Sequence, residues 1–234
     1  MPGLEIKGYK QGSMIEWPGL IVDSIFLAGC DFRCPYCHNP DLIDLNTVES
    51  YDINTILSEI DKRAKSKWLD GISITGGEPA LNKRLPEFLR ILKNMGLKTK
   101  IDTNGNHPDV IKELFEDNLL DYIAMDIKAT PENYNKATKR KVDMKKIKQT
   151  IKLIIESGID HEFRTTVAPT IVDPVKDLPV IARMIKGAKR FYIQQFRPIR
   201  CLDKKFEKLE PYKLPVLEKA WSKIKDNFEV CEIR

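Results

Sequence analysis

The sequence predicts an α/β fold with a parallel sheet. Three observations predict it. Six short runs rich in Ile, Val, Phe, Tyr or Leu recur along the chain, each bounded by turn or charged residues. Between them lie longer segments whose apolar residues repeat at helical spacing. The 234 residues, 42% hydrophobic and 31% charged, have an ordinary globular composition and suit one domain over 1–234 that buries its core without disulfide staples.

The first strand reads Leu20–Leu27 and a cysteine-rich stretch follows it. Ile53, Ile56, Leu57 and Ile60 form the first helical stripe. Gly71–Thr75 is the second strand, and Leu85, Phe88, Leu89 and Leu92 the next stripe. Lys98–Asp102 precedes the stripe of Val110, Ile111 and Leu114. Tyr122–Ile127 precedes Ile147, Ile151 and Ile154. Glu162–Ala168 and Phe191–Phe196 are the last two strands, and Leu217, Trp221 and Ile224 the last stripe. Pro86, Pro108 and Pro179 are placed near helix starts, where a missing N–H costs little. Right-handed crossovers leave two arrangements, an open doubly wound sheet or one curling towards a barrel. In both, chemistry belongs at the C-terminal ends of the strands. Cys30, Gly76, Thr103 and Lys128 follow the first four.

Composition narrows the function. A net charge of +5 is modest and does not imply nucleic acid. The longest apolar stretch, Leu20 to Gly29, is interrupted by Asp23 and Ser24 and is too short for a bilayer. The start, Met1-Pro-Gly-Leu-Glu-Ile-Lys, has no signal-peptide core, so a cytoplasmic protein with no membrane partner is expected. Five cysteines, three of them within eight residues, do not make a disulfide framework. There is no P-loop and no Gly-x-Ser-x-Gly elbow, and His107 and His161 lack metal or triad spacing. Trp17, Trp68 and Trp221 read as packing residues, and Cys201 and Cys231 as unligated. The basic run Lys136 to Lys148 reads as a solvated helix face, with a docking patch for an acidic partner as its rival.

Cys30-x3-Cys34-x2-Cys37 carries the chemistry. Chance would place that pattern about 0.002 times in such a composition. Thiolates this close converge on one centre, and soft sulfur favours iron–sulfur, zinc or copper(I). Structural zinc wants four ligands. His38 is available but adjacent to Cys37, and a zinc-binding interaction module stays open as an alternative. A [4Fe–4S] cluster on three cysteines leaves one iron without a protein ligand, either for a distant residue or for an exogenous molecule.

Further along, Gly76-Gly77-Glu78-Pro79 ends the second strand with a turn that lets backbone approach closely and an acceptor for a cation. By itself it is equally an ordinary turn. Asp102-Thr103-Asn104-Gly105 reads as an Asx-type turn leading to a helix. Arg164 stands equally well as a surface ion pair.

Cys30-x3-Cys34-x2-Cys37, with Tyr36 before the third cysteine, resembles the signature of the radical S-adenosylmethionine (SAM) superfamily. The other motifs follow in the family's order. The resemblance implies an incomplete parallel (β/α)6 barrel. It also implies one [4Fe–4S] cluster on the three cysteines, whose open iron chelates the amino and carboxylate groups of S-adenosylmethionine. Reductive cleavage of that cofactor then gives methionine and a 5′-deoxyadenosyl radical. Tyr36 and His38 are implied to line the adenine, and Gly76, Gly77 and Glu78 to bind the methionine ammonium. Asp102-Thr103 and Asp126-Ile127-Lys128 resemble elements of glycyl-radical enzyme activases, in which the two aspartates help to hold a small cation near the methionine carboxylate. Arg164 matches an arginine near the carboxylate and ribose. Gln195 and Arg197 occupy the place of adenosine contacts, where the pyruvate formate-lyase type carries a histidine. Ile15-Glu16-Trp17-Pro18-Gly19 resembles an element of anaerobic ribonucleotide reductase activases, with Glu for Asp. The implied partners are a glycyl-radical enzyme and a low-potential donor such as flavodoxin or ferredoxin. A radical enzyme acting on a small molecule or peptide is the rival reading.

Overall fold

The computed structural model describes residues 4–44 and 49–234. The reading of Met1–Gly3 lies outside the described residues. The chain divides into two compact units.

The first unit holds strands β1 (Ile6–Ser13), β2 (Val22–Leu27), β3 (Gly71–Gly76) and β4 (Lys98–Thr103). Its helices are α1 (Ile53–Lys65), α2 (Leu85–Asn94) and nearly all of α3 (Pro108–Glu116). β1 runs antiparallel to β2, whereas β2, β3 and β4 are parallel, from Val22 opposite Gly71 to Ile74 opposite Ile101. Ile25, Leu27, Ile72, Ile74 and Ile101 are buried, as are the helical stripes Ile53, Ile56, Ile60 and Phe88, Leu89, Leu92. Burial of each such side chain contributes about 1.5–3 kcal/mol, and it is this, not helix propensity, that holds the helices to the sheet. Asp23, fully buried on β2, accepts from Tyr9 Oη (2.6 Å), the Gly12 amide (2.8 Å) and Arg63 Nε (2.9 Å), tying β1 and α1 to it.

Strand β5 (Tyr122–Asp126) gives its first two residues to the first unit and the rest to the second. The second unit continues with α4 (Tyr134–Thr138), α5 (Met144–Glu156), β6 (Asp160–Val167), α6 (Pro174–Met184), β7 (Arg190–Gln195), α7 (Leu214–Trp221) and β8 (Val230–Ile233). β6, β7 and β8 are parallel neighbours. Asp143 and Asp173 cap α5 and α6 by accepting backbone N–H groups.

All six strands read from the sequence are present, with ends shifted by one or two residues. Two more are added. β1 carries two glycines and two lysines and shows no alternation, and β8 is four residues long. Pro179 lies inside α6, not at its start, and Pro174 takes the first helical position behind the Asp173 cap. Ile224 falls beyond the end of α7, although it is buried. Trp68 is 69% exposed and packs no core. Trp17 is buried against the Tyr122 ring (5.4 Å between centroids), and the Trp221 indole donates to the Cys231 carbonyl (2.7 Å). His161 is buried, with Nδ1 2.9 Å from the Ile159 carbonyl and Nε2 accepting the Lys189 amide at 3.3 Å, a structural clamp. Among the described residues, no helix is long and apolar enough to cross a membrane.

Candidate active site

In the first unit, the segment Gly29-Cys30 leaves the C-terminal end of β2 and is fixed by backbone on both sides. The Gly29 amide donates to Leu42 O (2.8 Å) and the Cys30 amide to Ile43 O (3.1 Å). The turn after β3 closes on the same segment: the Gly77 amide donates to Leu27 O (2.9 Å) and the Glu78 amide to Gly29 O (2.7 Å). The two glycines are required here for a reason internal to the chain. A Cβ at Gly76, whose φ is +124°, would overlap the Leu27 carbonyl, and one at Gly77 would overlap the Gly29 carbonyl. Their backbone approaches the cysteine loop. Gly77→Ala is therefore expected to destabilise the protein by about 3 kcal/mol, lowering Tm by roughly 6–12 °C. It should also reduce iron retention through displacement of Cys30, which thermal denaturation and iron assay would record.

Glu78 is 1% exposed and accepts from the Ala80 amide (3.1 Å) and the Thr103 hydroxyl (2.7 Å). Thr103 thus holds the carboxylate in place. Asp102 points to a different partner: it accepts from the Nζ of Lys100 at 2.7 Å, and Lys100 is fully buried. Only the i, i+2 spacing, which puts both side chains on one face of β4, hints at this pair in the sequence.

In the second unit, the loop 32–40 is held from several sides. Phe32 meets Tyr134 of α4 edge-on, and the Arg33 amide donates to Thr138 O (2.8 Å). The chain beyond β7 returns to the loop, with Leu202 N donating to Cys37 O (3.2 Å) and Asp203 N to Pro35 O (2.9 Å). Tyr36 is buried against Phe206, and its hydroxyl lies 3.4 Å from the Lys128 carbonyl. His38 is exposed, with its ring over Phe196 and Nε2 2.9 Å from the Arg197 carbonyl. That nitrogen is thereby committed to backbone, which weakens His38 as a fourth zinc ligand. The supporting role of residues 196–206 was not legible in the sequence, where Phe206 and Asp203 carry no motif.

Asp126, at the end of β5, accepts from Arg164 Nε (2.9 Å) and Lys128 Nζ (3.0 Å). Burial works to raise its carboxyl pKa, but the adjacent Arg164 and Lys128 charges outweigh it and hold it well below the usual range. Arg164 is only 12% exposed, so it is no surface ion pair. Ile127 is buried, its amide bonded to the Arg164 carbonyl. Gln195 turns away from this group and donates to the Tyr212 carbonyl (3.0 Å), and the Arg197 side chain is exposed. Asn104 accepts the Asn106 amide (2.9 Å), the Asx turn expected there.

Among the described residues, no cysteine is part of a disulfide. Burial pushes the Cys34 thiol up to about 11, with the Lys128 charge pulling it the other way, and burial raises Cys37 as well. Among the described residues, no three His, Cys, Asp or Glu side chains are placed to hold a single metal ion.

Comparison with known proteins gives the family. Residues 24–183 match the family model of the radical SAM superfamily. The chain belongs to that superfamily. The enzyme is 37% identical over 209 residues to a Methanocaldococcus jannaschii protein named provisionally as a glycyl-radical enzyme activating enzyme, covering 87% of this chain and 85% of that one. It is 27% identical over 222 residues to the pyruvate formate-lyase-activating enzyme of Clostridium pasteurianum, covering 91% and 90%. Among solved structures, Streptococcus suis SuiB bound to its precursor peptide SuiA superposes with a TM-score of 0.66 at 15% identity. That match covers 87% of this chain and 46% of SuiB, so the enzyme spans about half of SuiB's length. The fold class is the α/β class of the family, a mostly parallel, incomplete barrel. Its cofactors are those of the superfamily, one [4Fe–4S] cluster and S-adenosylmethionine. The residues fit them: three cysteines outside any disulfide, at the signature spacing, supply soft donors, and Glu78 presents a buried, pre-positioned carboxylate.

Proposed function

We propose that the enzyme activates a glycyl-radical enzyme, with Cys30, Cys34 and Cys37 holding the cluster. The similarity to two activating enzymes over nearly the whole of each chain carries this reading. When bound, the cluster and S-adenosylmethionine supply reductive cleavage to a 5′-deoxyadenosyl radical, which takes a hydrogen atom from a glycine of the partner. The protein's own part is to hold and orient. Glu78 accepts the cofactor's ammonium, fixed by Thr103 and the Ala80 amide. Arg164 and Lys128 supply positive charge for its carboxylate and ribose, and Asp126 sets their geometry. By the resemblance, Tyr36 and the backbone near His38 border the adenine, and Gly76, Gly77, Asp102, Ile127 and Arg197 are further cofactor contacts, whereas the Gln195 side chain is taken up by the Tyr212 carbonyl. The residues 1–234 act as one radical SAM domain.

The partner we propose is anaerobic ribonucleoside-triphosphate reductase, on the strength of Glu16-Trp17-Pro18-Gly19. That motif lies before the N-terminal end of β2, whereas Cys30 follows its C-terminal end, and Trp17 is buried there. The electron donor is a flavodoxin or ferredoxin, and the setting is the cytoplasm, without nucleic-acid or membrane partners. The test mixes reduced enzyme and S-adenosylmethionine without oxygen with the reductase, and separately with pyruvate formate-lyase. An EPR doublet with the reductase supports the reading. A doublet only with the lyase moves the partner, and no doublet with either removes the activase reading.

A further inference from the structure

Activases of the resembled type use two aspartates to help hold a small cation, and Asp102 and Asp126 match them. The residues present here do not fit such an ion. Lys100 and Asp102 share one face of β4, and Ser73 stands directly opposite Lys100 in the β3–β4 register. The Lys100 ammonium is 0% exposed. It lies 2.7 Å from Asp102 Oδ1, 3.4 Å from Ser73 Oγ and 5.9 Å from the centre of the Tyr122 ring. A lysine is buried so completely only when it is paired, and this one has a carboxylate, a hydroxyl and an aromatic face around it. Asp126 is likewise supplied by Arg164 and Lys128, with Glu162 also 3.6 Å from the Arg164 guanidinium, so that two carboxylates meet two cations. Neither aspartate retains the excess negative charge that would draw a metal cation out of water.

We infer that this enzyme works without a monovalent metal ion, the Lys100 ammonium taking at Asp102 the place of the ion. The inference rests on the reading of the cofactor site above. It predicts that cofactor binding is indifferent to the salt cation and that removal of Lys100 creates a metal requirement.

The experiment uses the cluster-loaded protein, anaerobically, in potassium chloride or in tetramethylammonium chloride. It reads the Kd for S-adenosylmethionine, the Tm, and binding of thallous ion by thallium NMR with potassium as competitor. The wild type is expected to show less than about a twofold change in Kd between the salts and no potassium-displaceable thallium. Lys100→Met is expected to acquire displaceable thallium, a Tm that rises with potassium, and at least about a tenfold weaker Kd in tetramethylammonium than in potassium. A wild type that binds displaceable thallium, or loses tenfold in affinity without potassium, overturns the inference. So does a Lys100→Met protein indifferent to the metal. Should Lys100→Met fail to fold, the wild-type thallium measurement still decides. A wild type that binds no S-adenosylmethionine in either salt overturns the reading of the site, while the thallium result continues to judge Lys100 separately.

Discussion

Alanine at Cys34 is expected to remove the iron–sulfur cluster and reduce S-adenosylmethionine cleavage to background. Cys30→Ala and Cys37→Ala should do the same. Three thiolates are the minimum that leaves one iron open, so no partial site survives the loss of one. Cys201→Ala and Cys231→Ala should retain the cluster. Cys34 is buried, yet Lys128 favours its thiolate, whereas burial and then Glu232 push Cys231 up to about 12, with no cation to oppose them. Iron and sulfide content with visible absorbance measure this directly. An intact cluster in Cys34→Ala, or its loss in Cys231→Ala, contradicts the assignment. Zinc in place of iron in the purified protein contradicts the whole account.

The second large effect is at Glu78. Glu78→Ala should leave the cluster in place and weaken S-adenosylmethionine binding by roughly 10–100-fold, the equivalent of about 1.5–3 kcal/mol for a charge-assisted contact. The substitution also strips acceptors from the Ala80 amide and the Thr103 hydroxyl, so part of its effect is structural. Glu78→Gln separates the two. It keeps an oxygen for both donors and loses only the charge, and it should show the affinity loss with a nearly unchanged Tm. Isothermal titration on the cluster-loaded protein reads it. Wild-type affinity in Glu78→Gln removes Glu78 from the cofactor site.

The parts of the molecule that could be read from the sequence are those where local pattern and burial coincide. The six strands β2 to β7 are short runs that the core covers, and each is visible in the sequence, whereas the four-residue parallel strand β8 is not. β1 is not, since three consecutive residues, Lys10, Gln11 and Gly12, face solvent and its glycines break the alternation. The cysteine loop was legible because metal chemistry demands a fixed spacing of one residue type. Its supports were not: the clamp from Leu202 and Asp203 and the wedge of Phe196 and Phe206 are long-range contacts that leave no periodic trace. The Gly-Gly turn was found for an incomplete reason. Its glycines suggest approach to a ligand, and within the chain they allow approach to the Gly29 carbonyl. Lys100 carries no signal in the sequence, because a lysine in a strand ordinarily faces water and only the fold buries it beside Asp102.

The central claim, hydrogen abstraction from a glycine of a partner protein, is tested most directly by following that hydrogen. The proposed partner, anaerobic ribonucleoside-triphosphate reductase, is prepared with glycine dideuterated at Cα and mixed with the reduced enzyme and unlabelled S-adenosylmethionine in the absence of oxygen. The 5′-deoxyadenosine is then isolated and weighed by mass spectrometry. The account predicts one deuterium in the product for each glycyl radical formed, together with collapse of the EPR doublet to a singlet. Abundant 5′-deoxyadenosine with no deuterium from any glycyl-radical partner would contradict it and point to a small-molecule or peptide substrate.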